Sequence, residues 1–124
     1  MGAAKLDIHS KRTVVGQQAT NAVNTITVAA ATGVEHYLHF VCFGFSTMPA
    51  SAIDLVITNG TFDWYETIPF DAQADAAGIV TGCGPHFRNF GDIGMPFGKG
   101  ESLTVSLDAS GTAGVYSSLS ICYS

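Results

Sequence analysis

Charge is what this chain has least of. Only 12% of its 124 residues are Asp, Glu, Lys or Arg, about half the ~25% usual in globular proteins. Basic residues are the scarcer kind, five against ten acids, for a net charge of −5. Lys5, Lys11 and Arg12 lie near the start, and only Arg88 and Lys99 follow. Without a basic stripe, direct nucleic-acid binding is not expected. Long apolar runs are missing too: none approaches the ~20 residues that span a bilayer, so no membrane segment is expected. Cysteine is sparse and odd in number, at Cys42, Cys83 and Cys122. Met1–Arg12 has charges but no apolar core of the secretory kind. Free thiols and an intracellular origin are therefore the expectation. Met1-Gly2 opens like a myristoylation site, but Leu6 stands where that motif needs Ser or Thr.

Catalytic motifs are missing as well. There is no nucleophile elbow and no Gly-rich loop in a strand–loop–helix context. The sequence shows no long amphipathic helix, no βαβ pattern and no internal repeat. At this length one domain over residues 1–124 is expected. Such a chain buries roughly two thirds of its unfolded surface and needs no staple.

What is present is alternation. Ile53, Leu55 and Ile57 take every second place in one run, the period of a half-buried strand. A second run puts Phe62, Trp64, Glu66, Ile68 and Phe70 on one face and Asp63, Tyr65 and Thr67 on the other. Asn59-Gly60 lies between them and predicts a type I′ hairpin, with φ > 0 at both central residues. A hairpin alone is marginal in water, so the rest of the chain must cover it.

The other segments follow in order. Met1–Ala19 lacks a clear period and reads as an extended arm, with a short strand at Arg12–Gly16. Asn21–Ala31 carries Val23, Ile26 and Val28 and predicts a strand. Val34–Ser46 is the longest apolar segment. It places Tyr37, Val41, Phe43 and Phe45 on one face and Leu38, Phe40 and Cys42 on the other. A strand apolar on both faces belongs in the middle of a sheet with both sides covered. Asp71–Gly78 fits a turn or two of helix ended by Gly78, or a loop, and Ile79–Gly84 a short strand. His86–Phe90 predicts one strand inside a Gly- and aromatic-rich connection. Leu103, Val105 and Leu107, then Val115, Ser117, Leu119, Ile121 and Tyr123, alternate around the turn residues Asp108–Gly114 and read as a closing hairpin. About eight strands at this spacing predict an all-β fold, an antiparallel jelly-roll-like sandwich.

The sharpest chemical candidate is a metal site. Cys83-Gly-Pro-His86, with Met95 later and His36 or His39 earlier, has the chain order of a blue-copper centre. Three features oppose it. Met95 follows His86 by too many residues, two further strands follow Cys83, and His36 and His39 point to opposite faces of a strand. Zinc is less well served, since no second paired spacing such as Cys-x-x-Cys exists. Asp54, Asp63, Glu66 and Glu101 read as solvated strand positions rather than a glycosidase pair. Cys42 reads as a small core residue. Trp64, Tyr65 and Tyr116 invite a sugar-stacking reading. Trp64 fits the core better, and both tyrosines fit a subunit interface equally well. No catalytic, cofactor-binding or metal residue is assigned, and no enzyme activity is expected. The low charge itself has two readings: a surface covered by partners or copies, or a β-protein rich in Ser, Thr and Gly.

Several stretches carry a resemblance. They are Phe45-Ser46 with Met48-Pro49, Leu55-Val-Ile57 with Gly60, and Trp64 with Ile68. Phe97-Gly-Lys-Gly-Glu-Ser-Leu-Thr-Val-Ser-Leu107 and Ala109-Ser-Gly111 complete it. Over Gly33–Tyr123 the chain resembles the small jelly-roll virion proteins of tailed bacteriophages. The Pro85–Met95 stretch and the N-terminal arm depart from that pattern. The resemblance implies a capsid cement or decoration protein, or a module of a head or tail fibre that binds a receptor or glycan. It also implies a homotrimer, the major capsid protein as partner, and a place on the virion after synthesis in the host cytoplasm.

Overall fold

The computed structural model describes residues 12–69 and 85–124. They form nine strands: β1 (Thr13–Thr20), β2 (Asn24–Val28), β3 (Tyr37–Phe45), β4 (Ile53–Thr58), β5 (Asp63–Ile68), β6 (His86–Asn89), the two-residue β7 (Met95–Pro96), β8 (Leu103–Leu107) and β9 (Tyr116–Tyr123). One sheet runs β1-β9-β3-β6, with β7 also paired to β3, and the other runs β2-β8-β4-β5. Every pairing is antiparallel.

The pairings are nested. β4 pairs β5, β3 pairs β6, β2 pairs β8 and β1 pairs β9. One long hairpin, folded over on itself so that successive pairs fall in alternate sheets, has this order. It is the jelly roll. The expected all-β antiparallel sandwich is what the chain forms.

Inward side chains from both sheets make one core: Val41 and Phe43 from β3, Leu55 and Ile57 from β4, Val105 and Leu107 from β8, Leu119 and Ile121 from β9, and Phe97 from a loop. Burial of this kind contributes roughly 25 cal/mol per Å² of apolar surface removed from water.

The two open sides of the sandwich are closed differently. On the β1/β2 side, Asn24 is fully buried. Its Nδ2 donates to Ser117 Oγ at 3.0 Å and to the Gln17 carbonyl at 3.1 Å, and Gln17 Nε2 donates to Asn24 Oδ1 at 3.0 Å. On the β5/β6 side, Arg88 meets Glu66.

Four sequence expectations change. The first concerns the N-terminus. β1 begins at Thr13 and runs to Thr20, paired along its whole length with β9. The stretch expected to be mostly arm is thus, from Thr13 on, the edge strand of a sheet; residues 1–11 lie outside the described residues. The second concerns β3. A register shift between Leu38 and Phe40 resets the alternation, as a bulge does. Leu38 therefore joins Val41, Phe43 and Phe45 in the core rather than facing away from them. β3 does lie inside its sheet, but its outer side chains Phe40 and Cys42 are half-buried rather than enclosed.

The third is the Asn59-Gly60 turn. Gly60 has φ +91°, but Asn59 does not have positive φ. The connection is a four-residue loop, with Thr58 paired to Asp63. Asn59 Oδ1 accepts from the backbone N–H groups of Thr61 and Phe62 at 2.8 and 2.9 Å. The asparagine acts through its side chain. The fourth is the closing hairpin. β8 and β9 are not partners; they lie in different sheets. The turn-rich Asp108–Gly114 stretch carries the chain from one layer to the other. The helical turns expected at Asp71–Gly78 and the strand at Ile79–Gly84 lie outside the described residues.

Candidate functional site

The residues named for copper do not assemble into a described site. Cys83 lies outside the described residues. His36 precedes β3 and is buried; its Nε2 donates to the Ala29 carbonyl at 3.2 Å, leaving Nδ1 buried without a hydrogen bond. His39 is buried at the bulge. Its Nδ1 lies 3.5 Å from the Gly91 carbonyl, and its Nε2 accepts from the Ser124 hydroxyl at 2.9 Å. Burial pushes its pKa below the usual 6.5, against the opposing pull of the Gly91 carbonyl. His86 stacks on Phe43 with ring centroids 5.1 Å apart. Met95 lies in β7 opposite Leu38. Among the described residues no three His, Cys, Asp or Glu side chains are grouped to hold a metal ion.

The carboxylates are spoken for in two different ways. Glu66 sits on the inward phase of β5 and is held by Arg88, whose hydrogen bonds pull its carboxyl below the usual range. Asp54, on the outer face of β4, accepts from the Tyr65 hydroxyl and from Thr67 Oγ1. The Tyr65 bond is the main reason its carboxyl lies below the usual range. The paired acids of a glycosidase are not among these arrangements.

The aromatics do not form an exposed row. Trp64 is half-buried with its edge on Phe90, centroids 5.8 Å apart. Tyr65 is exposed on the outer face of β5, whereas Tyr116 is exposed on the other sheet.

The two outer faces differ in chemistry. That of β2-β8-β4-β5 is hydroxylated and acidic. Thr25 bonds Ser106 at 3.1 Å and Thr27 bonds Thr104 at 3.3 Å, beside Asp54, Asp63 and Tyr65. The strands of β1-β9-β3-β6 present no charged side chain on their outer face; at its end Arg12, just before β1, pairs with the exposed Asp92 at 3.7 Å. Strand register aligns it in rows. Val14, Cys122, Phe40 and Asn89 form one; Gly16, Ser120, Cys42 and Phe87 the next; Gln18, Ser118 and Gly44 a third; Thr20 and Tyr116 close it. Val14 and Phe87 are exposed, at 63% and 52%. The face is uncharged along its strands but mixed in polarity, with Asn89, Ser120, Gln18, Ser118 and Thr20 beside Val14, Phe40 and Phe87. The sequence held a signal for it: Phe40 and Cys42 are out of phase with the core positions of the same strand.

No protein-family model matches the chain, and no curated protein matches it. A solved structure described as FLHE is similar at 11% identity and a TM-score of 0.35, over 90% of this chain and 96% of that one. A TM-score that low bears on neither fold nor function.

Proposed function

We propose that this chain is a non-enzymatic structural protein of a virion. Its role is that of a capsid cement protein, assembling with copies of itself and binding the shell of major capsid protein. The observation that carries the reading is the outer face of β1-β9-β3-β6, uncharged along its strands on an otherwise acidic chain. The jelly roll is compatible with it, since capsid proteins use that fold, but so do lectins and cupins, and fold alone assigns no function. The resemblance over Gly33–Tyr123 supplies the virion context.

The mechanism is linkage. A protein that binds the assembled shell and not its dissociated parts stabilises the shell by RT ln(1 + [L]/Kd) per site. Copies joined to one another raise that through effective concentration.

A second reading keeps the virion and changes the task to glycan recognition. Tyr65 favours it, an exposed ring beside Asp54 and Thr67 on the opposite sheet. Co-sedimentation of the purified protein with capsids stripped of it tests both. Saturable binding that raises the capsid melting temperature is the expected result. A protein that ignores capsids and is retained on a glycan array, with retention lost in Tyr65→Ala, replaces the first reading with the second.

A further inference from the structure

One edge of the first sheet is open along a whole strand. The Ser46 N–H donates to the Tyr116 carbonyl at 2.9 Å, and at the other end of β9 Tyr37 and Ser124 exchange both backbone bonds, at 3.0 and 2.9 Å. The even-numbered residues of β9 therefore turn their backbone groups to β3. The odd ones, Ser117, Leu119, Ile121 and Tyr123, turn theirs to β1, where they meet Ala19, Gln17, Val15 and Thr13. Asn21, whose N–H donates to the Val115 carbonyl at 3.0 Å, continues the series. Backbone direction alternates along a strand. Val14, Gly16, Gln18 and Thr20 thus direct their N–H and C=O groups away from β9, and among the described residues no strand lies beyond them.

The other outer strands are guarded. β5 and β6 carry the inward charges Glu66 and Arg88. The two-residue β7 ends in Pro96. β2 is five residues long, and its Thr25 carbonyl is taken by Gln17 Nε2 at 3.1 Å. Short length, proline and inward charge all keep an edge from pairing with another chain. β1 has none of these. It is eight residues long, Thr-Val-Val-Gly-Gln-Gln-Ala-Thr, without charge or proline, and its register with β9 is unbroken. Gln17, bonded to Asn24 and Thr25, fixes its course.

We propose that β1 pairs antiparallel with β1 of a second copy, about a two-fold axis through Gln17. The inference rests on the backbone of this edge, and neither on the virion reading nor on the outer sheet face. The match of hydrogen-bonding groups identifies the occupant. An axis at Gln17 sets Val14 opposite Thr20 of the other copy and Gly16 opposite Gln18, and the same again in reverse. These are all the residues of β1 with outward groups, so every donor meets an acceptor. An axis at Gly16 leaves Thr20 over, and one at Gln18 leaves Val14. On the inward side the same axis sets Val15 opposite Ala19, both apolar and only half-buried in the single chain. A foreign extended segment would meet the same groups, but a second β1 matches them in number and ends where they end. No other described strand of this chain does so. Main-chain bonds supply the affinity, as in other strand additions. The contact is isologous and closes at two, where the resemblance implies three.

Sedimentation equilibrium from micromolar to millimolar concentration tests this. The wild-type mass rises from one chain, 12.9 kDa, toward two. Gln18→Pro deletes an outward N–H and leaves the bonds to β9 in place, the setting in which an edge strand tolerates proline. It should weaken association by about tenfold or more. Register is read by crosslinking. Val15→Cys and Ala19→Cys, mixed and mildly oxidised, should join through a disulfide, because opposed residues of a non-hydrogen-bonded pair have Cα atoms about 4.5 Å apart. Neither variant alone should link more than the wild type, which carries the native thiols. Melting curves establish that each variant is folded; where one is not, the other experiment decides alone. A wild-type chain that stays single throughout, leaving the edge to a segment of another protein, overturns the proposal, as does one that forms three. So does association unchanged by a folded Gln18→Pro, or a mixture that links no better than its parts. Capsid binding is scored separately, so a dimer that ignores capsids leaves this inference standing and removes the virion one.

Discussion

Arg88 grips Glu66 at two points, Nε donating to Oε2 at 2.7 Å and Nη2 to Oε1 at 2.6 Å, across the open side of the sandwich. Each residue is on an outermost strand, β6 in one sheet and β5 in the other, and each points inward. The pair joins two layers that share no backbone hydrogen bonds there. Inward-pointing charge also makes an edge strand a poor template for pairing with another chain.

Breaking that pair should loosen the β5/β6 side. Both side chains keep more than a quarter of their exposure, so solvent screens them and the cost is modest. Arg88→Met should lower stability by about 1 kcal/mol, the upper end for a solvent-screened ion pair of good geometry. Glu66 titrates lower in the folded chain than its ordinary 4.5. Its contribution is therefore complete above about that pH and is lost as pH falls through the depressed value. Urea midpoints at neutral pH and near pH 3 should converge between wild type and Arg88→Met; a constant gap would show that the loss is one of packing.

His39 should impose a second, higher pH dependence. Burial holds its folded pKa below 6.5, so the unfolded chain takes up the proton more readily. Stability is full above about 6.5 and declines as pH falls toward the folded value. Protonation would also turn Nε2 from acceptor to donor toward Ser124 Oγ. Urea midpoints measured from pH 8 to pH 5.5 should fall for the wild type and much less for His39→Gln. Equal slopes would refute the assignment.

Two glycines with similar φ should respond differently to alanine. Gly60 has φ +91° with open space around it; Gly94 has φ +89°, and a Cβ there would lie 2.9 Å from the Leu38 carbonyl oxygen. Backbone strain alone costs about 1–2 kcal/mol. Gly60→Ala should show that much in thermal melts. Gly94→Ala should exceed it, because the clash falls on backbone at the β3 bulge.

Trp64 and Phe43 separate the rim of the core from its centre. Phe43 is 1% exposed, and Phe43→Ala should cost about 3–5 kcal/mol. Trp64 keeps part of its ring in solvent, and Trp64→Ala should cost roughly half as much. If the two variants melt together, Trp64 is a full core residue.

Alternation alone settled much of this protein. The inward sets Ile53, Leu55 and Ile57, Leu103, Val105 and Leu107, and Leu119 and Ile121 are local facts, because a strand has a period of two and water is on one side of it. The inward acid Glu66 could be read from its place in phase with Trp64 and Ile68, but its cation could not. What needed the tertiary structure were facts of pairing. β8 and β9 alternate perfectly and lie either side of turn residues, yet they bond to different sheets, since partner choice depends on closing the whole nested roll. Leu38 enters the core because a bulge shifts its strand by one residue, and a bulge is set by the neighbouring strand as much as by its own. The rows of the outer face of the first sheet are made of residues from β1, β3, β6 and β9. Gly16, Gly44 and Ser118 mean little apart, and only the register that sets them side by side makes a surface.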